Sequence, residues 1–237
     1  MSWHYPYPDL VAGTLLKRYK RFLADIELET GETVTAHCPN TGPMTGVSQV
    51  GSAVLLSRSD NPKRKLAYTW EAIHTDGVWV GVNTALPNRV VKSALEAQVF
   101  SELTPYAGIK SEVPYGEDRK SRVDFLLTSP DKPPVYLEVK NATWTDGETC
   151  ALFPDTVTTR GQKHLRELTN LLPDARAVML YFINRGDCTT FSPGDTTDPE
   201  YGALLRAGVA QGLEVLPCRF EVTPSGMQYL GLATLVL

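Results

Sequence analysis

Apolar and polar residues alternate with a period of two through much of the first third of the chain. Phe22, Ala24, Ile26 and Leu28 alternate with Leu23, Asp25, Glu27 and Glu29, and after Thr30-Gly-Glu32 the alternation resumes at Val34, Ala36 and Cys38. Two such runs joined by a turn predict a β-hairpin. A Gly/Pro-rich loop from His37 to Gly46 leads to strand-like runs at 53–56, 65–71 and 78–82. Five short strands with no amphipathic helix among them predict a small closed barrel, of which the OB-fold is one form.

The period changes after residue 84. Val91, Leu95, Gln98 and Val99 fall on one helical stripe, with Asn88 placed as an N-cap. Strand patterns follow at 109–115, 121–127 and 135–139, then a helix over about 159–172, a strand at 177–183, a helix over about 199–212, and a closing hairpin turning at Pro224-Ser-Gly226. Helices interspersed among strands predict a mixed sheet flanked by helices. The fold class is therefore α/β (α+β) in two domains, a barrel over 1–84 and a layered domain over 85–237.

The 237 residues are 42% hydrophobic, enough for a buried core in each part. No apolar run is long enough to span a membrane and the first residues lack the charged start and apolar stretch of a signal peptide, so the expected location is cytoplasmic, with nucleoid association left open and no membrane partner. Cys38, Cys150, Cys188 and Cys218 have no CxxC spacing, which fits reduced thiols rather than a disulfide framework or a zinc site. The net charge of −4 gives no general attraction to nucleic acid, so binding must come from local clusters. Lys17-Arg-Tyr-Lys-Arg21 and Lys63-Arg-Lys65 are such clusters, making Arg18, Lys20, Arg21, Lys63, Arg64 and Lys65 candidate phosphate contacts. Tyr68 and Trp70 beside them read better as core residues than as base-stacking ones, and His37 and His74 as barrel residues.

Candidate chemistry lies between the helices. In the strand around 135–140, Val135, Leu137 and Val139 share one face, and Tyr136, Glu138 and Lys140 the other, with Glu138 and Lys140 ~7 Å apart. In the preceding strand Val123, Phe125 and Leu127 are the apolar set, leaving Asp124 on the second face. Pairing of the two strands sets Asp124 beside Glu138, and two adjacent carboxylates repel unless protonated or bridged by a cation. Mg2+ or Mn2+ suits them as oxygen ligands beside a phosphodiester, with Lys140 as the catalytic amine. Glu96 and Glu112 are further candidate carboxylates for the metal site if the fold brings them there. The next helix opens with Arg160, Lys163 and His164, which a phosphate at a helix N-terminus would meet. The competing reading makes all of these the wet face of a sheet and the solvent side of a helix.

Seven stretches in order resemble one family. Thr35-Ala-His-Cys-Pro-Asn-Thr-Gly-Pro-Met44, Asn61-Pro-Lys-Arg-Lys-Leu66, Val80-Gly-Val-Asn-Thr84, Ser121-Arg-Val-Asp-Phe125, Glu138-Val-Lys-Asn141, Leu152-Phe-Pro-Asp155 and Thr159-Arg-Gly-Gln-Lys-His-Leu165 are similar to the sugar fermentation stimulation protein family, SfsA, over nearly the whole chain. The resemblance implies an N-terminal OB-fold, a C-terminal domain of the PD-(D/E)xK nuclease type, non-specific DNA binding and a regulatory role in sugar (maltose) metabolism. The nuclease motif carries over as Asp124, Glu138 and Lys140, with Val123 where many nucleases of that type have proline. Three functions remain open: a metal-dependent nuclease that binds DNA, a non-catalytic DNA-binding regulator on the same fold, and a small-molecule or protein-binding module. The oligomeric state is not legible.

Overall fold

The computed structural model describes residues 3–116 and 120–237. Its first strands are β1 (His4–Pro6), β2 (Leu10–Tyr19), β3 (Leu23–Leu28), β4 (Thr33–His37), β5 (Ala53–Arg58) and β6 (Tyr68–Thr75). Strands β2 to β6 make the barrel. β4, β3, β2, β5 and β6 pair antiparallel in that order, and a short parallel pairing of Ala36 and His37 with Tyr68 and Thr69 closes β4 onto β6. The alternating apolar set points inward, so Leu15, Ala24, Ile26, Val54, Leu56 and Trp70 are fully buried together.

One strand differs from expectation. The fifth barrel strand is β2, not the run at 78–82, which is β7 (Val78–Gly81). β7 pairs with β6 but continues away from the closed ring to touch a strand of the second domain. β2 is obscured in the sequence because its register against β3 shifts between Leu15 and Lys17. That irregularity breaks the period of two and leaves Leu16 exposed.

Helix α1 (Pro87–Glu96) opens the second domain with Pro87 in its first turn and Leu86 at its cap. Proline's fixed φ suits a first helical position. Asn88 therefore lies inside the helix rather than capping it, and Gln98 and Val99 lie beyond its end. Strands β8 (Gly108–Tyr115), β9 (Ser121–Ser129) and β10 (Lys132–Ala142) form an antiparallel meander. After β11 (Trp144–Thr145) and β12 (Cys150–Phe153) come α2 (Thr159–Thr169), β13 (Arg176–Ile183), β14 (Thr190–Pro193), α3 (Pro199–Ala210), β15 (Glu214–Thr223), β16 (Gly226–Leu232) and β17 (Thr234–Leu235). The main sheet runs β8-β9-β10-β13-β15, parallel where β13 meets its two neighbours, and β16 and β1 add to β15. β11, β12, β14 and β17 form a small separate sheet.

Both faces of the main sheet are covered. Val178, Leu180 and Phe182 face the α1 side, and Met179, Tyr181 and Ile183 the α2–α3 side. Buried on both faces, β13 reads as an unbroken apolar run, as a central parallel strand must. Because α2 and α3 cover the face that carries Glu138 and Lys140, this is not a wet face of the sheet. Among the described residues no helix is long and apolar enough to cross a membrane.

Candidate metal and phosphate site

The site forms where β9 and β10 part. Their register pairs Leu126 with Tyr136 and Phe125 with Leu137, and the ladder stops there. At the next step the Asp124 side chain takes the place of a backbone acceptor, and Asp124 Oδ2 receives the Val139 N–H at 2.7 Å. Asp124 Oδ1 accepts from Asn88 Nδ2, also at 2.7 Å. Asn88 thus acts from the first turn of α1 to fix the carboxylate.

Glu138 and Lys140 project from β10 toward α2. Lys140 Nζ donates to Glu138 Oε1 at 2.6 Å, and His164 Nδ1 shares that same oxygen in a short hydrogen bond. Arg160 Nε donates to His164 Nε2 at 3.4 Å, which leaves the proton on Nδ1, facing Glu138. His164 lies on the buried stripe of α2 with Gly161, Leu165 and Leu168. Its sequence assignment as a direct phosphate contact gives way to a place behind Glu138.

The two carboxylates titrate apart. Burial and the charge of Glu138 push the Asp124 carboxyl up to about 6, only partly offset by the Val139 N–H, Lys140 and Asn88. Burial alone would raise Glu138 too, but the His164 hydrogen bond and the Lys140 ammonium outweigh it and hold it below the usual carboxylate range. Glu138 Oε2 is buried and has no hydrogen-bond partner. A buried carboxylate oxygen left without a donor is costly, and a cation placed between it and Asp124 would relieve both that cost and the repulsion. The Tyr115 hydroxyl is also buried and unpartnered, its acidity suppressed by burial and then by Glu138 and nearby carboxylates.

Among the described residues no group of three His, Cys, Asp or Glu side chains converges as a metal site. Glu96 is exposed and 3.9 Å from Lys92, and Glu112 is exposed at a φ of 55° on β8. The side chains that a cation could use here are therefore two carboxylates, a donor set that would suit Mg2+ or Mn2+ completed by waters and substrate oxygens rather than an all-protein cage.

The basic residues divide by role. Arg18 donates one nitrogen to the carbonyls of Arg21, Asn40 and Gly42, and Arg21 donates to the Thr41 carbonyl at 2.7 Å. These two hold the loop after β4. Arg64 reaches Thr69 Oγ1 at 2.9 Å, while Lys20, Lys63 and Lys65 are exposed on loops. Arg160 and Lys163 are exposed on α2, Lys163 lying 3.5 Å from Glu167. Trp70 is in the barrel core with its indole N–H on the Ala72 carbonyl. All four cysteines are free thiols.

Family models match both parts of the chain. The SfsA N-terminal OB domain matches residues 16–82 and the sugar fermentation stimulation protein RE domain matches residues 85–226. The chain belongs to the sugar fermentation stimulation protein (SfsA) family. Sugar fermentation stimulation protein homologs from Nostoc sp. and Synechocystis sp. are 70% and 66% identical to it, covering all of this chain and 99% and 100% of theirs. A solved structure described as Pyrococcus furiosus SfsA in complex with Ca2+ superposes with a TM-score of 0.89 over the full length of both chains at 23% identity. At that identity the likeness establishes the SfsA fold: an OB-like barrel of five strands followed by a mixed sheet with three helices.

Proposed function

We propose that this SfsA-family chain binds DNA and hydrolyses phosphodiester bonds with Mg2+ or Mn2+ at Asp124, Glu138 and Lys140. The observation that carries the reading is the parting of β9 and β10, which leaves two carboxylates side by side, one with an unpartnered buried oxygen, next to a lysine. That a solved family member is described as a Ca2+ complex supports an oxygen-ligand cation site in this fold. Asp124 and Glu138 Oε2 would hold the metal. Bound there, a divalent cation supplies charge neutralisation at a phosphate and a more acidic water. Lys140 places an ammonium against the charge that develops on the phosphoryl oxygens. His164 fixes the Glu138 rotamer and keeps that carboxylate ionised, while Asn88 does the first of these for Asp124. Exposed Lys20, Lys63, Lys65, Arg160 and Lys163 provide salt-sensitive backbone contacts. An influence on sugar metabolism, maltose included, would follow from action on DNA.

The test is incubation of purified protein with single-stranded, duplex and branched DNA, with and without Mg2+ or Mn2+. Metal-dependent cleavage, reduced at least ~100-fold by each of Asp124→Ala, Glu138→Ala and Lys140→Ala, is the expected result. Cleavage that survives all three changes sinks the assignment. A second reading, a DNA-binding regulator without catalysis, draws on one observation: Glu138 Oε1 is already shared by Lys140 and His164. It predicts salt-dependent binding and no cutting with any metal.

A further inference from the structure

A cleft of about 100 Å3 opens between the barrel and the second domain, with Asn40, Thr84, Asn141, Trp144, Phe153 and Asp155 on its walls. They come from the loop after β4, the segment leading into α1, the end of β10, β11, and β12 with the residues after it. Four of the stretches singled out in the sequence meet here: 35–44, 80–84, 138–141 and 152–155. The phosphodiester site makes use of only one of them, through Glu138 and Lys140.

The walls are held in place. The Asp155 carboxyl lies beside the backbone N–H groups of Thr45 and Met44, which partly offset the rise that burial gives it, and Thr84 Oγ1 donates to the Pro39 carbonyl at 3.1 Å. Asn40 Oδ1 accepts the Gly42 N–H at 2.9 Å, and Asn141 Oδ1 accepts from Asn184 Nδ2 at 3.0 Å. In both asparagines the oxygen is engaged within the protein, which leaves each amide NH2 as a donor for a ligand. Phe153 is braced by a tilted ring contact with Tyr181 and an edge contact with Tyr201. A fixed aromatic wall with amide donors matches an unpaired nucleobase, which offers a π-face and acceptor atoms on its edge. At about 100 Å3 the cleft is smaller than the ~150 Å3 cavity that holds one benzene molecule, so a base would enter by one edge and lie partly outside its open side.

Its chain connection to the phosphodiester site favours a base over other ligands of similar chemistry. Asn141 follows Lys140 in β10, and Thr84 lies just before the helix whose Asn88 holds Asp124. We propose that the cleft takes one unpaired nucleobase of the DNA strand whose phosphate lies at Asp124, Glu138 and Lys140. The inference rests on the phosphodiester reading above and adds how the strand is placed on it.

The experiment measures binding of single-stranded oligonucleotides carrying one abasic residue walked along the strand, in EDTA so that no strand is cut. Wild-type protein should lose about 5- to 150-fold in affinity, the range for one stacked base, at one abasic position. Trp144→Ala should lose a similar factor on the intact strand and no longer register that abasic position. Asn40→Asp keeps the acceptor for the Gly42 N–H but removes the amide donor. Its added charge weakens binding of any strand, so the readout that decides the matter if Trp144→Ala fails to fold is loss of that position-specific abasic penalty while its melting temperature stays at the wild-type value. Binding with equal affinity at every abasic position overturns the cleft proposal alone, as does an unchanged abasic penalty in both variants. If no oligonucleotide binds at all, the phosphodiester reading falls with it.

Discussion

Asp124 carries the electrostatic cost of the site. Its carboxyl rises from 3.8 to about 6 through burial and the neighbouring Glu138 charge. A carboxyl raised on folding favours the folded state when protonated, so metal-free protein loses stability as pH climbs from about 4 through about 6 and keeps that penalty above it. Asp124→Asn removes the charge. Its carbonyl still accepts the Val139 N–H, and a flipped Asn88 amide accepts from the new NH2. In EDTA at pH 8 this variant should be more stable than wild type by about 1–3 kcal/mol, with the gap closing at pH 4, as read by chemical denaturation. Added Mg2+ should reverse the order. His164 makes a second residue-level prediction, because its hydrogen bond is the largest influence lowering Glu138. His164→Ala should slow cleavage ~10- to 100-fold and move the acid limb of the pH–rate profile to higher pH, a shift that loss of packing alone would not give.

Loops and strands separate structural cations from binding ones. Arg18 gives its guanidinium to three carbonyls, so Arg18→Ala should destabilise the protein by about 1–3 kcal/mol, measured by denaturant titration. Lys63→Ala with Lys65→Ala should leave stability unchanged and lower the salt slope of DNA binding by about 1 per lysine. The same distinction explains what was legible in the sequence. Alternation located β3, β4, β9 and β10, and compact apolar runs located β5, β6 and β13, because each buries at least one side-chain face. It missed β2 because a bulge shifts its register at Leu16, just before a cationic run, and it missed the small sheet of β11, β12, β14 and β17 because those strands are two to four residues long. The face shared by Glu138 and Lys140 followed from strand period alone. Asn88 and His164 did not, although the spacing of Gly161, His164, Leu165 and Leu168 put the histidine on the buried stripe of α2. Reading Asn88 as a cap failed because the helix starts at Pro87, two residues earlier than that cap implies.

At the scale of the molecule, the barrel and the second domain are joined by contacts that fix one against the other. Arg185, 2% exposed, pairs with Asp187 and reaches Asp76 of the barrel hairpin. The Gly81 N–H donates to the Asn184 carbonyl, and a side chain at Gly81 would collide with the Asn184 amide. The loop after β4 is tied to β2 through Arg18 and to the second domain through Asp155. The proposed phosphodiester reading requires barrel lysines and the α2 cations to serve one nucleic-acid strand around a single carboxylate pair. The central claim is that Asp124 and Glu138 hold a divalent cation for that purpose. Titration of Mn2+ into metal-free protein at pH 8, followed by loss of the free-ion paramagnetic resonance signal, measures it directly. One site should be seen in wild type and in Lys140→Ala, and it should vanish in Asp124→Ala and in Glu138→Ala. Equal Mn2+ binding by wild type and both carboxylate variants would contradict the account.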